Sequence, residues 1–404
     1  MHTHKTKPLG LLLISPIFLF LLSCSGSQDQ KVDSFLGFDV SVESLDKFLT
    51  DKMEEYDMPG LTVAFINEGK VVHNNVFGYA NREKGIPVTE KTIFEAASLS
   101  KSVFAHFVMT YVEAGKLDLD RPLYEYMPYP DIAHDERYKK ITARMVLSHR
   151  SGFPNWRTDY EKGELFIQFD PGTDYSYSGE GYQYLAKVLK HIDQTDWEGL
   201  EANFQRLIAQ PMGLEHTVFI QDEFAKTHKA EPYDEDGQWI SPEQDVDSLT
   251  RYQFVAPASI HSESLDFSKW MISLMNKEIL TEASYEELFK NHSDVGDFDG
   301  IEVKYTLGFF KPILPIGNFY SHGGNNYGFN AFFVMDVEKD WGIVLFTNSE
   351  YGEKLGADLF LHMLTGPIDG KIYAILALFA ILLLTGLVFF VRFIVRKISS
   401  RQAA

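Results

Sequence analysis

The stretch 94–102 reads FEAASLSKS, and it places Ser98 and Lys101 three residues apart at the start of a helical pattern. Residues i and i+3 of a helix share a face, so the Lys101 amine can reach the Ser98 hydroxyl. A serine hydroxyl becomes an effective nucleophile when a neighbouring group removes its proton, and a partly desolvated lysine amine can do so. The pair predicts a nucleophilic serine, and the alternative for Ser98 is a helix-capping serine.

The same spacing recurs at residues 44–47 (SLDK), so a Ser-x-x-Lys pair alone is a weak signal. We interpret Ser44 as a helix cap that precedes an amphipathic helix. Ser98 differs because two further elements follow it along the chain. These are residues 175–182 (YSYSGEGY) and residues 321–325 (SHGGN).

Together the three elements resemble the serine beta-lactamase-related family, on the branch of class C beta-lactamases, D-alanyl-D-alanine carboxypeptidases and beta-lactamase-fold esterases. The resemblance runs from about residue 45 to residue 363 and includes residues 145–152 (MVLSHRSG) and 341–348 (WGIVLFTN). It implies an α/β fold, with an antiparallel sheet flanked by helices and an inserted, mostly helical domain. Strand patterns at both ends of the chain and helical patterns between them agree with one sheet built from distant segments.

The resemblance assigns further roles by position. Tyr177 takes the place of the tyrosine in the family's Tyr-x-Asn element, although Tyr175 is an alternative. A phenol acts as a base only when cations lower its pKa, and Lys101 can supply such a field. His322 takes the place of the family's Lys/His-x-Gly element and would support Lys101 or bind a substrate carboxylate if protonated. The alternative for His322 is a histidine satisfied inside the sheet, and the choice of proton acceptor stays open.

Gly179 departs from the family pattern, which usually has asparagine at this position to contact the acyl side chain. This departure weakens the case for a true beta-lactamase and leaves room for another amide or ester substrate. Glu180 either replaces the lost polar group or is a surface glutamate. The resemblance also places Gly323 and Gly324 in the substrate cleft, where glycine lets a substrate backbone approach closely.

By the same resemblance, the backbone N–H groups of Ser98 and Asn325 would bind the oxyanion formed on acyl transfer. His149 and Arg150 are interpreted as structural residues that shape the loop beneath the cleft. The 13 histidines are scattered, and the sequence contains no metal-binding or phosphate-binding motif. We therefore expect a mechanism without metal or cofactor.

The N-terminus has the pattern of a signal peptide over residues 1–24: two lysines, an apolar run over 9–22, and then Cys24. Cys24 is the only cysteine and stands where bacterial lipoproteins are lipidated, and residues 21–24 resemble that motif. The alternative is an ordinary signal peptide or an uncleaved anchor. Residues 25–40 are polar and are predicted to be a linker to a hydrolase domain over 41–366.

Residues 372–391 carry no charge, and this length predicts a C-terminal transmembrane helix. The basic tail over 392–404 predicts a cytoplasmic C-terminus, which places the catalytic domain on the periplasmic face of a bacterial cell membrane. All 57 acidic side chains fall within residues 25–370, so this region should repel nucleic acid.

The sequence thus predicts a membrane-tethered, extracytoplasmic serine hydrolase that acts through a Ser98 acyl-enzyme. Its substrate would be a small peptide-like amide or an ester, related by resemblance to D-amino acids or cell-wall peptides. The alternatives are a penicillin-binding sensor that does not turn over and a lapsed enzyme kept as a binding protein. The presence of Ser98, Lys101, Tyr177 and His322 together argues against the lapsed enzyme.

Overall fold

A nine-stranded antiparallel sheet lies at the centre of the computed structural model, which describes residues 30–159, 163–241 and 253–366. The strands are β1 (Lys31–Asp33), β2 (Asp39–Ser41), β3 (Gly60–Asn67), β4 (Lys70–Asn81), β5 (Ile86–Pro87), β6 (Phe94–Glu95), β7 (His261–Ser262), β8 (Ser293–Phe298), β9 (Ile301–Tyr305), β10 (Phe310–Leu314), β11 (Gly317–Asn326), β12 (Phe329–Asp336) and β13 (Trp341–Thr347). The central sheet has the order β5-β4-β3-β13-β12-β11-β10-β9-β8, and β1-β2 and β6-β7 form small separate pairs. Because β3 pairs with β13, the predicted α/β sheet of distant segments is confirmed.

Ten α-helices accompany the strands in the described part of the chain. They are α1 (Val42–Glu55), α2 (Ser100–Glu113), α3 (Ala143–Leu147), α4 (Gly179–Ile192), α5 (Trp197–Phe204), α6 (Gln210–Met212), α7 (Glu223–His228), α8 (Ser264–Asn276), α9 (Glu282–Phe289) and α10 (Gly352–Thr365). A π-helical segment, Gln205–Ala209, joins α5 to α6. Most of the helices lie between β5 and β8 in the sequence, as the predicted helical insertion requires.

Alternating side chains of the central strands bury opposite faces of the sheet. In β3, Val63 and Phe65 pack in a core with residues of α1 and α10. Ala64 and Ile66 point the other way, into the larger core that includes α2, α8 and the inserted helices. Since β3 and β13 are buried along their whole length, both read as continuous apolar runs.

The sheet also positions a short 3₁₀ turn, Ala97–Leu99, which leads directly into α2. This turn packs against β11 and β12. β10 pairs with β11 only as far as Ser321, so the following residues of β11 extend beyond that partner. The turn and this end of β11 together form the region where the predicted catalytic residues lie.

Two local predictions need correction. Residues 31–40, predicted as linker, include β1 and most of β2, because Val32 and Val40 bury their side chains in the core of α1 and α10. Ser44 is not the cap of α1, since the cap is Ser41, whose Oγ accepts a hydrogen bond from the Ser44 N–H at 3.2 Å.

The predicted fold class also needs correction at the C-terminus. Among the described residues, no helix is both long and apolar enough to cross a bilayer. The transmembrane helix predicted over 372–391 falls on a segment that lies outside the described residues. The signal peptide and Cys24 lie outside them as well.

Candidate active site

Ser98 lies half-buried in the turn before α2, as the helical pattern predicted. The preceding residue, Ala97, has φ 47°, a left-handed conformation that costs a non-glycine residue about 1–2 kcal/mol. Ser100 holds the turn in place, because its Oγ donates to the Ala97 carbonyl at 2.5 Å and accepts from the Ile260 N–H at 3.0 Å. The sharp turn therefore presents the Ser98 hydroxyl toward the end of β11.

Lys101 is buried on the first turn of α2, with its Nζ 3.0 Å from the Ser98 Oγ. The amine also donates to the Pro257 carbonyl at 3.0 Å. Within the described residues no carboxylate pairs with Lys101, and burial lowers the pKa of this amine well below its ordinary value. A lower pKa favours the uncharged amine, whose lone pair can accept the Ser98 proton.

Tyr177 lies next to this pair, with its ring centroid 4.4 Å from the Lys101 Nζ. Its phenol interacts with the Ser98 side chain, but burial raises the pKa of Tyr177 above its ordinary value. The phenol therefore keeps its proton at neutral pH, and the expectation that Lys101 lowers the pKa of Tyr177 is wrong. The structure places Tyr177 beside Ser98, whereas the Tyr175 ring packs near His149 and Tyr305.

His149 fixes the Tyr177 segment on both sides. Its carbonyl accepts from the Ser176 N–H at 2.9 Å, and its Nδ1 accepts from the Ser178 N–H at 3.0 Å. The backbone of His149 has a positive φ of 57°. The His149 ring is buried, and its centroid lies 4.4 Å from that of the Tyr177 ring. This contact explains how residues 145–152 shape the floor of the cleft.

His322 lies on β11 near Tyr177, with a separation of 6.1 Å between the ring centroids. Its two nitrogens contact the Tyr305 hydroxyl at 3.2 Å and the Gly323 carbonyl at 2.5 Å. Burial lowers the pKa of His322 to about 3. The imidazole is therefore neutral, so it does not present the charge that a substrate carboxylate would need.

The adjacent glycines Gly323 and Gly324 of β11 make room for protein groups. A Cβ placed on Gly324 would lie 2.5 Å from the Ala96 carbonyl and 3.0 Å from the Ser98 N. A Cβ on Gly323 would instead lie 2.6 Å from a carboxylate oxygen of Glu353. Gly324 thus lets the end of β11 approach the Ser98 amide, which brings the next residue, Asn325, close to the predicted oxyanion site.

Gly179 is the first residue of α4, and a neighbouring loop occupies the space that a side chain at this position would need. A Cβ there would lie 3.0 Å from the Asn155 carbonyl and 3.1 Å from the Trp156 ring. Glu180, interpreted as a substitute polar group or a surface residue, is neither, because it is buried and forms an ion pair with Arg157 at 2.8 Å. This pair holds the loop against α4.

Sequence reasoning missed Pro257 and Tyr305, which contact Lys101 and His322. Both residues reach the site from distant segments, and neither stands in a motif that could have indicated it. In the part of the chain that the structure describes, no cluster of three histidine, cysteine or carboxylate side chains is placed to hold a metal ion.

A model of the protein family named Beta-lactamase matches residues 45–365. The chain belongs to the beta-lactamase family. The match covers the turn of Ser98, the Tyr177 segment and β11, so the resemblance inferred from three motifs is confirmed. Other members of this beta-lactamase family include serine hydrolases such as carboxypeptidases and amidases.

Among similar proteins, Protein flp of Staphylococcus aureus (strain COL) is 21% identical over an alignment of 359 residues that covers 83% of this chain and 68% of that protein. D-alanine carboxypeptidase AmpC from Burkholderia cenocepacia superposes with a TM-score of 0.66 at 16% identity, covering 80% of this chain and 98% of that one. D-amino acid amidase from Ochrobactrum anthropi SV3 gives a TM-score of 0.65 at 21% identity, covering 78% and 96%. These structural likenesses establish the beta-lactamase fold.

Proposed function

We propose that this chain hydrolyses an amide or ester bond through an acyl-enzyme on Ser98. The observation that carries the proposal is the 3.0 Å separation between the Ser98 Oγ and the buried amine of Lys101. An uncharged amine at this distance is a general base aligned with its nucleophile. Lys101 accepts the Ser98 proton while Oγ attacks the substrate carbonyl carbon.

The remaining steps use the neighbouring groups. The N–H groups of Ser98 and Asn325 bind the negative oxygen of the tetrahedral intermediate. Tyr177 holds its proton, so it donates that proton to the leaving amine or alcohol and regains one from the Lys101 ammonium. Water then attacks the acyl carbon and passes a proton to Lys101. The bond from the acyl carbon to the Ser98 Oγ breaks, Tyr177 donates a proton to that oxygen and regains one from the Lys101 ammonium, and the acid is released.

The proposed substrate is a small peptide-like amide or an ester. Gly179 provides no amide to bind the acyl side chain, and the neutral His322 provides no cation to bind a carboxylate. A relation to D-amino acids or cell-wall peptides is supported by the names of the structural neighbours, which include a D-alanine carboxypeptidase and a D-amino acid amidase.

We also propose that the protein acts outside the cytoplasm, where a lipid attached to Cys24 anchors it to the membrane. The support is the leader-like pattern of residues 1–24. Labelling of the full chain with a radioactive fatty acid in a bacterial host should give a labelled protein, and Cys24→Ser should remove the label. Equal labelling of both proteins would exclude a lipid at Cys24.

The test of the hydrolase proposal is turnover of a chromogenic ester by the full chain. We expect turnover by the wild type and a loss of at least about a thousandfold in Ser98→Ala. Ser44→Ala is the matched control, because residues 44–47 repeat the Ser-x-x-Lys spacing on α1, and it should retain turnover. A stoichiometric burst without turnover would favour the non-hydrolytic sensor instead.

A further inference from the structure

A buried hydrogen bond joins the two chain segments that carry the proposed oxyanion donors. Glu95 lies three residues before Ser98, and Asn326 directly follows Asn325. The Asn326 Nδ2 donates to the Glu95 Oε2 at 2.6 Å and to the Ala258 carbonyl at 3.2 Å. Both side chains are almost fully buried, with 3% and 6% of their surface exposed.

The Glu95 carboxylate is ionised where it meets Asn326. It forms an ion pair with Lys229, and the His261 Nε2 lies 4.0 Å from it. Burial alone would raise the pKa of Glu95, but Lys229, His261 and the hydrogen bonds outweigh burial and bring the pKa to about 2. Hydrogen bonds to an ionised acceptor are shorter and stronger than neutral ones, so this contact is suited to hold a fixed distance.

Each residue of this hydrogen bond lies close in sequence to one of the two proposed oxyanion donors, the N–H groups of Ser98 and Asn325. Glu95 belongs to β6, which pairs with β7, and only two residues separate it from Ser98. Asn326 is the last residue of β11, one position after Asn325. An oxyanion site depends on donors placed about 2.7–3.1 Å from the developing negative oxygen, so a small shift between β6 and β11 should weaken catalysis.

We propose that Glu95 and Asn326 form a positioning pair that sets the spacing between the Ser98 and Asn325 N–H groups. Neither side chain touches the reacting atoms, and the pair acts through the backbone that each one holds. The inference rests on the proposed function, because it assumes that an oxyanion forms at Ser98. Gly324 supports it, since this glycine lets the two segments meet at the Ser98 amide.

The test compares an oxo-ester with its thiono-ester, in which sulfur replaces the carbonyl oxygen. Sulfur is larger and accepts weaker hydrogen bonds, so only the oxo-ester benefits fully from well-placed donors. The kcat of each ester is measured for the full-length wild type and for Asn326→Leu, which keeps the side-chain size but cannot donate. We expect the oxo-ester kcat to fall about tenfold to a hundredfold, and the oxo/thiono ratio to fall with it.

Two further variants complete the experiment. Glu95→Gln removes the charge and keeps the shape, and it should lower the same ratio; combined with Asn326→Leu it should add little more, since both break one contact. Glu201→Gln is the matched control. Glu201 is a half-buried carboxylate, with one oxygen accepting from the Phe219 and Ile220 N–H groups outside the site, and its substitution should leave the ratio unchanged.

The possible outcomes separate the two proposals. A wild type that turns over neither ester would overturn the proposed function and the positioning pair together. Turnover that requires Ser98, with a ratio that stays unchanged in both Asn326→Leu and Glu95→Gln, would overturn the positioning pair alone. An equal fall for both esters also counts against the pair, because it indicates a general loss of folded enzyme.

Discussion

At the scale of single residues, Lys101 combines a catalytic position with a cost in stability. Its pKa in the folded protein lies well below its ordinary value because the amine is buried. Between that lowered pKa and the unfolded value of about 10.4, the unfolded chain binds one proton more than the folded chain. The free energy of unfolding therefore rises with pH through this window. Below the window, the folded protein carries the full destabilising effect of burying a charged amine.

Lys101→Met should separate these two effects. We expect kcat to fall about 10²–10⁴-fold, because the general base is lost. The rise of the unfolding free energy with pH in the window below about pH 10 should become smaller, because the buried amine is gone. Urea unfolding at several pH values measures this slope, and an unchanged slope would show that the amine is charged in the folded protein.

The pH dependence of acylation should also report on Lys101. The acylation rate should fall as the pH decreases, because protonation of the amine removes the lone pair that accepts the Ser98 proton. The pKa of His322 is already about 3, so this histidine does not titrate near neutral pH. Rapid-mixing kinetics with a chromogenic ester should therefore show the acidic limb at the same pH in His322→Gln, and a displaced limb would assign the titration to the histidine.

Ala97 offers a prediction about the strain in the 3₁₀ turn. With φ 47°, it occupies a conformation in which glycine is unstrained. Ala97→Gly should raise the free energy of unfolding by about 1 kcal/mol, the left-handed strain less the extra backbone entropy of glycine. Denaturant unfolding measures the change. A loss of stability would mean that packing of the Ala97 methyl group against Gly324 outweighs the strain.

At the scale of elements, the approach of β11 to the 3₁₀ turn depends on Gly324 and not on its neighbour Gly323. Gly324→Ala would bring a methyl group to 2.5 Å from the backbone of Ala96, which cannot move aside without shifting the turn. We expect the acylation rate to fall about a hundredfold, as for the loss of one oxyanion donor. Gly323→Ala is the control, because its methyl group meets the flexible end of Glu353. Equal rates for the two variants would contradict this account.

The helices and strands that could be predicted are those whose sequence pattern lies within the element itself. The β3–β4 hairpin follows from Glu68 and Gly69, both of which adopt positive φ, and α4 follows from its apolar periodicity. Residues 304–311 are rich in apolar and aromatic side chains and suggest one continuous strand, but a turn divides them between β9 and β10. The strand that pairs with β9, β8, carries no such signal. β8 contains Ser, Asp and Gly and is mostly exposed, so its sequence lacks the apolar alternation of a half-buried strand.

The candidate site shows the same limit. The spacing of Ser98 and Lys101 is local, so their contact could be predicted from helix geometry. The ion pair of Glu180 with Arg157 and the burial that keeps His322 neutral could not, because both depend on how distant segments pack together. Charge at these positions is decided by tertiary packing.

At the scale of the whole molecule, the sheet joins the two ends of the described chain. Leu345 in β13 pairs with Phe332 on one side and Val63 on the other. Since the cores on both faces contain residues of β13, the sheet and the inserted helices should unfold together.

Leu345→Ala tests this cooperativity. We expect the free energy of unfolding to fall by about 2–5 kcal/mol, because the residue is fully buried. Far-UV circular dichroism and ester turnover, followed through the same denaturant series, should shift together. Loss of turnover well before loss of helical signal would show that the inserted helices fold independently of the sheet.

Whether Ser98 is an activated nucleophile can be measured by intact-mass spectrometry of the full chain after treatment with a fluorophosphonate. The wild-type chain should gain the mass of one adduct, Ser98→Ala should gain none, and Ser44→Ala should behave as the wild type. A folded wild-type protein that gains no adduct, or a Ser98→Ala variant that gains the same adduct, would contradict the assignment of Ser98 as the nucleophile.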